Sequence, residues 1–91
     1  MTSDLLFSAY LAVMSAEDRI RTVSRFVHDY LMRTGEKNMD EPYGPRYRWE
    51  HTLRVAHWAR VLANEEDIDT EKCVTAALLH DVSHFVSADY R

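Results

Sequence analysis

The chain has 91 residues, of which 46% are hydrophobic and 29% charged, and its formal net charge is −4. This length limits the chain to one domain with a thin core, because so short a chain buries only about two thirds of its unfolded surface. The acidic balance excludes a nonspecific nucleic-acid binder, which needs clustered lysine and arginine to neutralise phosphates. A small anionic substrate bound at a local site stays open.

Membrane and export signals are missing from the sequence. No run approaches the roughly 18 apolar residues of a membrane span, and Met1–Leu5 lacks the basic stretch of a secretory signal. Cys73 is the single cysteine, so there is no internal disulfide, and its apolar surroundings favour a place in the core. We therefore expect a soluble cytoplasmic protein that binds no membrane.

Sparse turn residues predict an all-α fold. The two glycines and two prolines all fall between residues 35 and 45, which leaves too few turns for a β protein. A short first helix is expected over Asp4–Met14, and Ser15 with Asp18 resembles the N-terminal cap of a second helix. That second helix ends at Gly35, and its apolar stripe has helical spacing: Ile20, Val23, Phe26, Val27, Tyr30 and Leu31.

Two further helices follow a polar loop over residues 36–45. The third is predicted from about Tyr47 to Glu65, and the fourth begins at a cap formed by Asp69 or Thr70. The fourth helix is apolar or small on every side over Cys73–Leu79, which is typical of a helix buried all round. The inward face of the third helix is predicted to comprise Arg48, His51, Val55, Trp58 and Leu62.

The pair His80-Asp81, at the end of this apolar run, is the strongest chemical signal in the sequence. Polar groups in such a place need partners, since burying one without compensation costs roughly 2 to 7 kcal/mol. A metal ion in the groove beside the third helix is one such partner, and His51 on that helix would complete the ligand set. Spacing alone leaves a second interpretation open, in which His51 is a hydrogen-bonded core residue and Asp81 is held by an arginine.

Imidazole and carboxylate ligands together suit Mn, Fe, Co, Ni or Zn, whereas Mg and Ca prefer all-oxygen sites. The segments 46–56 and 76–84, which contain these residues, resemble the first two conserved blocks of the HD-domain metal-dependent phosphohydrolase superfamily. The resemblance covers roughly residues 46–85. It implies an HD-domain-like helical bundle, with residues 1–35 as lead-in helices, 36–45 as a loop and 46–91 as the metal-site helices.

The resemblance also implies roles for individual residues. His51, His80 and Asp81 match ligands of one or two divalent ions, which activate water for attack on a phosphate ester. His84 matches a position that assists substrate or proton transfer, and a surface histidine is the alternative. Arg48, one turn before His51, is predicted to clamp a phosphate, and an ion pair with Glu50 or another acid is the alternative. The other aromatic and imidazole side chains are predicted to be structural or outside the site: Trp49, Trp58, His28 and His57.

One ligand of the family has no match in the sequence. Relatives supply a further aspartate from a later helix, and Asp89 is too close to His80-Asp81 to take that place. We therefore expect a domain truncated at its C-terminal end, a ligand supplied by another copy in a homo-oligomer, or an incomplete site. The predicted function is metal-dependent hydrolysis of a nucleotide or related phosphate ester. The alternative is a noncatalytic helical binding or regulatory module with a degenerate HD metal site.

Overall fold

The structure is a computed structural model that describes residues 6, 8–9 and 13–89. The elements are helix α1 (Ala16–Thr34), a 3-10 turn (Glu36–Asn38), and helices α2 (Pro45–Glu65), α3 (Thr70–Leu79) and α4 (His84–Asp89). No β-strand occurs within these described ranges. The predicted all-α fold is therefore confirmed, whereas the helix expected over Asp4–Met14 lies largely outside the described residues.

Local capping chemistry fixes where the helices begin and end. The side chain of Ser15 accepts a hydrogen bond of 3.1 Å from the backbone N–H of Asp18, as predicted. Gly35 ends α1, and its N–H donates to the carbonyl of Leu31. Asp69 caps α3 by accepting from the N–H of Lys72 at 3.1 Å. Helix α2 begins at Pro45 rather than Tyr47, because a first-turn proline has a preset φ and no N–H to leave unpaired.

Helices α1, α2 and α3 pack around one core, which α4 closes at one end. Helix α1 contributes the largest fully buried apolar side chains, whereas α2 contributes small residues such as Ala56. No helix in the part of the chain that the structure describes is long and apolar enough to cross a bilayer. The buried core cluster comprises Ile20, Val27, Leu31, Ala56, Val74, Ala77, Leu78 and Phe85.

The predicted inward face of α2 is wrong at its C-terminal end. Trp58 is 61% exposed and Leu62 is 55% exposed. The buried face runs instead through Thr52, Ala56 and Ala63, which have the same helical spacing but lie on an adjacent side of the helix. Small side chains let neighbouring helices approach closely, and the bulky residues beside them are then left at the surface.

Helix α3 is also less buried than its composition predicts. Val74, Ala77 and Leu78 face the core, but Ala76 is exposed and Leu79 is 41% exposed. The partners α1 and α2 cover only one side of α3. The prediction of a helix buried all round is therefore wrong, because a run of apolar and small residues does not itself supply covering elements.

Two bidentate ion pairs join helices across this core. The guanidinium of Arg19 on α1 binds the carboxylate of Glu71 on α3 at 2.8 and 2.7 Å. Arg60 on α2 binds Glu17 on α1 at 2.6 and 3.2 Å. The hydrogen bonds from Arg19 hold the pKa of Glu71 below its ordinary value, and those from Arg60 do the same for Glu17.

The lowered pKa of Glu71 predicts an acid-dependent part of the folding stability. Such a carboxyl stabilises the fold at pH values above its unfolded pKa, and the contribution is lost as the pH falls through the lower folded pKa. We expect Glu71→Gln to unfold at lower urea concentration than the unmodified chain at neutral pH, with the gap closing as the pH falls below about 4. Glu65→Gln, at the exposed end of α2, is the matched control. A gap for Glu71→Gln that stays constant down to pH 3 would contradict the assignment.

Candidate metal centre

The predicted histidine pair lies where α2 passes the end of α3. His51 is on α2, and His80 is the C-terminal cap residue of α3. Their ring centroids are 5.7 Å apart, with ring planes tilted by 56°. The fold therefore brings together two histidines that are separated by 28 residues in the sequence.

The ring of His80 is oriented by the backbone of its own helix. Its Nδ1 lies 2.6 Å from the carbonyl oxygen of Ala77. Because a carbonyl only accepts hydrogen bonds, Nδ1 must be the donor, and in the neutral ring the lone pair is then on Nε2. Metal-binding histidines commonly have this arrangement, in which one ring nitrogen donates to the protein and the other faces the ion. His80 is exposed, however, which differs from the buried position expected from the sequence.

The carboxylate of Asp81 has two neighbours that carry or can carry positive charge. Its Oδ2 accepts a hydrogen bond from Nη1 of Arg48 at 3.1 Å. Its Oδ1 lies 3.8 Å from Nδ1 of His84, which is beyond hydrogen-bonding distance. The acid that pairs with Arg48 is therefore Asp81 and not Glu50. The predicted contact of Arg48 with a phosphate stays a prediction.

The donor chemistry of the site fits a divalent ion, but the donors are not gathered into a ligand set. Among the residues that the structure describes, no three histidine, cysteine, aspartate or glutamate side chains are grouped to hold a metal. His51 and His80 offer neighbouring imidazoles, which are donors that suit Fe, Ni and Zn. Asp81 contacts Arg48 instead. The assignment of all three as metal ligands therefore stays a prediction.

Tyr47 contacts the site and was not identified from the sequence. Its ring is nearly parallel to that of His51, with centroids 6.3 Å apart and planes at 11°. The guanidinium carbon of Arg48 lies 5.7 Å from the centroid of the same ring. The ring of Tyr43 packs edge-on against the ring of Tyr47, with centroids 5.0 Å apart. The spacing of four residues from Tyr47 to His51 on one helix is the sequence signal that predicts this contact.

Two other histidines make their ring contacts with tryptophans. His28 packs edge-on against Trp49 at 5.1 Å, and His57 packs against Trp58 at 5.4 Å.

Next to His51, the outward side of α2 forms an open groove with an apolar floor and one arginine. The groove is lined by His51, Arg54, Val55, Trp58, Ala59 and Leu62.

This all-α fold brings His51 and His80 together, with Asp81 next to His80 in the chain, as the resemblance of the sequence implies. In agreement, the sequence model of the HD domain family matches residues 48–91. Residues 48–91 therefore have the sequence pattern of an HD domain, in agreement with the resemblance. The match contains all five predicted site residues, from Arg48 and His51 to His80, Asp81 and His84. No curated protein and no solved structure matches the chain.

Proposed function

We propose that the chain is a metal-dependent phosphohydrolase that acts on a nucleotide or a related phosphate ester. The observation that carries the proposal is the meeting of His51 and His80, with ring centroids 5.7 Å apart, directly beside Asp81. The HD domain match over residues 48–91 supports the reaction class. The substrate class is inferred from the side chains around the histidines.

His51, His80 and Asp81 are the residues that would hold one or two divalent ions. When bound, such an ion lowers the pKa of a water molecule and polarises the phosphoryl group. The hydrogen bond from His80 Nδ1 to Ala77 leaves Nε2 as the ligand atom. The mixed nitrogen and oxygen donors favour Mn, Fe, Co, Ni or Zn over Mg.

Two side chains, Arg48 and His84, would act on the phosphate ester. Arg48 reaches Asp81 with Nη1 and so places its guanidinium next to the candidate ligands, where it can donate to phosphoryl oxygens. His84 is half-buried and lies 3.8 Å from Asp81. An imidazole there can act as the general acid that donates a proton to the leaving alkoxide.

The groove beside His51 offers a surface for the rest of the substrate. Arg54 supplies a positive charge, and Trp58 presents an exposed indole two turns further along α2. An exposed indole can stack on a nucleobase. Such stacking contributes about 1 to 3 kcal/mol per base to binding in proteins that bind single-stranded nucleic acid. The arrangement therefore supports a nucleotide as the substrate. In this proposal Trp58 contacts the base, whereas the sequence predicted it to be a core residue.

Hydrolysis of simple chromogenic esters tests the proposal. We expect the purified chain to hydrolyse p-nitrophenyl phosphate or bis-p-nitrophenyl phosphate when Mn²⁺, Co²⁺ or Ni²⁺ is added. The double variant His80→Ala, Asp81→Ala should lose this activity by about a hundredfold or more, since it lacks two ligands. His57→Ala removes an exposed imidazole outside the site and is the matched control. If the double variant and the control hydrolysed the ester at equal rates, His80 and Asp81 would have no part in the reaction.

A noncatalytic binding module is the second candidate. It is favoured by the pairing of Asp81 with Arg48, because this carboxylate already has a counter-ion without a metal. Metal content after purification, measured by elemental analysis, separates the two candidates. The same trace of metal in the unmodified chain and in the double variant, together with no hydrolysis, would support the binding module.

A further inference from the structure

We propose that Arg48 is an internal counter-ion that the carboxylate of Asp81 exchanges for a metal ion. The inference rests on the proposed metal site and adds to it a control of metal affinity. In the metal-free chain, the guanidinium of Arg48 neutralises Asp81. In the metal-bound chain, Asp81 leaves Arg48 and joins His51 and His80.

The position of Asp81 is the first observation. Its Oδ2 contacts Nη1 of Arg48 at 3.1 Å, and its Oδ1 lies 3.8 Å from Nδ1 of His84. No three-ligand group exists among the described residues. The carboxylate must therefore turn before it can share an ion with His51 and His80.

The strength of the ion pair is the second observation. Arg48 makes a single contact of 3.1 Å with Asp81, whereas charge-assisted hydrogen bonds are commonly about 2.7 to 2.9 Å long. By contrast, Arg19 holds Glu71 with two contacts of 2.8 and 2.7 Å. Arg48 therefore neutralises Asp81 without holding it in a fixed bidentate geometry, so this pair is the easier one to break.

The hydrogen bonding of Arg48 itself is the third observation. Its Nε is buried and has no hydrogen-bond partner. One turn along α2, the hydroxyl of Thr52 is also buried and unpartnered. A buried donor without a partner costs about 1 to 3 kcal/mol, and a movement that lets Nε reach water or an acceptor recovers part of this cost. Movement of Arg48 away from Asp81 is thus not opposed by a complete set of hydrogen bonds.

Charge gives the direction of the exchange. Asp81 is 22% exposed, so its partly desolvated carboxylate needs a cation. A divalent ion supplies twice the charge of a guanidinium, and the two cations repel each other when both are close to one carboxylate. Arg48 therefore stabilises the metal-free fold and weakens metal binding.

Calorimetric titration with Co²⁺ tests the exchange. We expect Arg48→Met to bind Co²⁺ about fivefold more tightly than the unmodified chain, the factor that corresponds to a partly exposed ion pair. Arg46→Met removes the same charge from an exposed position two residues earlier on α2, and its affinity should stay close to that of the unmodified chain. Arg48→Lys keeps the charge, and its Co²⁺ affinity should lie between that of Arg48→Met and that of the unmodified chain.

Urea unfolding gives a second readout. In EDTA, Arg48→Met should be less stable than Arg46→Met, and the effects of Arg48→Met and Asp81→Asn should not add. In saturating Co²⁺ the deficit of Arg48→Met should shrink. A merely structural role for Arg48 predicts lower stability together with unchanged or weaker Co²⁺ binding.

The outcomes separate this inference from the proposed function. If Co²⁺ binds the unmodified chain but Arg48→Met binds it no more tightly than Arg46→Met, the exchange is wrong and the metal site stands. That result would mean that Asp81 binds the ion while keeping Arg48. If Co²⁺ does not bind the unmodified chain at millimolar concentration, the proposed function and the exchange both fail.

Discussion

Replacing His51 with alanine is expected to lower the affinity for Mn²⁺ or Co²⁺ by at least about a hundredfold. Loss of a residue that only orients a ligand costs 10- to about 100-fold in metal affinity, so loss of a ligand should cost no less. His51 is not part of the buried core cluster, and its ring contacts are with Tyr47 and His80. The helical fold should therefore persist. Calorimetric titration measures the affinity, and circular dichroism checks the helix content.

His57→Ala is the matched control for this experiment. His57 lies on the same helix as His51, is exposed, and packs against Trp58. Its removal should leave the affinity unchanged. If His51→Ala binds the ion as tightly as His57→Ala does, then the pairing of His51 with His80 is a structural contact only, and the ligand assignment is wrong.

Replacing Leu31 with alanine is expected to lower the free energy of unfolding by about 2 to 5 kcal/mol. The side chain of Leu31 is 0% exposed and lies in the core cluster together with Val27 and Phe85. A small domain has a total stability of about 5 to 15 kcal/mol, so the variant loses a large share of it. Urea unfolding followed by circular dichroism measures the change.

Leu62→Ala makes the same chemical change at an exposed position. Leu62 lies on the outward side of α2 and is 55% exposed, so we expect a loss below about 1 kcal/mol. Comparable losses for the two variants would mean that Leu62 is buried in solution. In that case the inward face of α2 predicted from the sequence, with Trp58 and Leu62, would be the correct one.

The start and end of α1 and the start of α3 could be predicted from the sequence because they depend on nearby residues. Ser15 caps α1 through an N–H only three residues away, and Gly35 ends the same helix. Asp69 caps α3 in the same manner as Ser15 caps α1. Each of these contacts spans a single turn, so residue type and spacing determine it.

The buried face of α2 could not be predicted in this way. Large apolar side chains at helical spacing indicated the face with Trp58, yet the helix packs through Thr52, Ala56 and Ala63. The choice between two adjacent faces depends on how closely the neighbouring helices approach. That distance depends on the assembled bundle, and it cannot be predicted from the hydrophobic pattern of one helix.

The candidate site was predictable in its members and not in its contacts. Spacing and resemblance indicated His51, His80 and Asp81, and the fold brings the two histidine rings together. The ion pair between Arg48 and Asp81 joins residues 33 positions apart, and its geometry depends on how α2 passes the end of α3. The exposure of His80 has the same origin, since no helix among the described residues covers α3 on that side.

Phe85 connects the candidate site to helix α1. Its ring lies against the C-terminal end of α1, where a Cβ atom on Gly35 would come within 2.8 Å of the ring. The neighbouring residue, His84, is thus anchored by a helix that precedes the HD domain match over residues 48–91. The family match begins at residue 48, but the contact between Phe85 and α1 extends the support of the candidate site to a helix before that match. Helix α1 is therefore part of the structural support of the site.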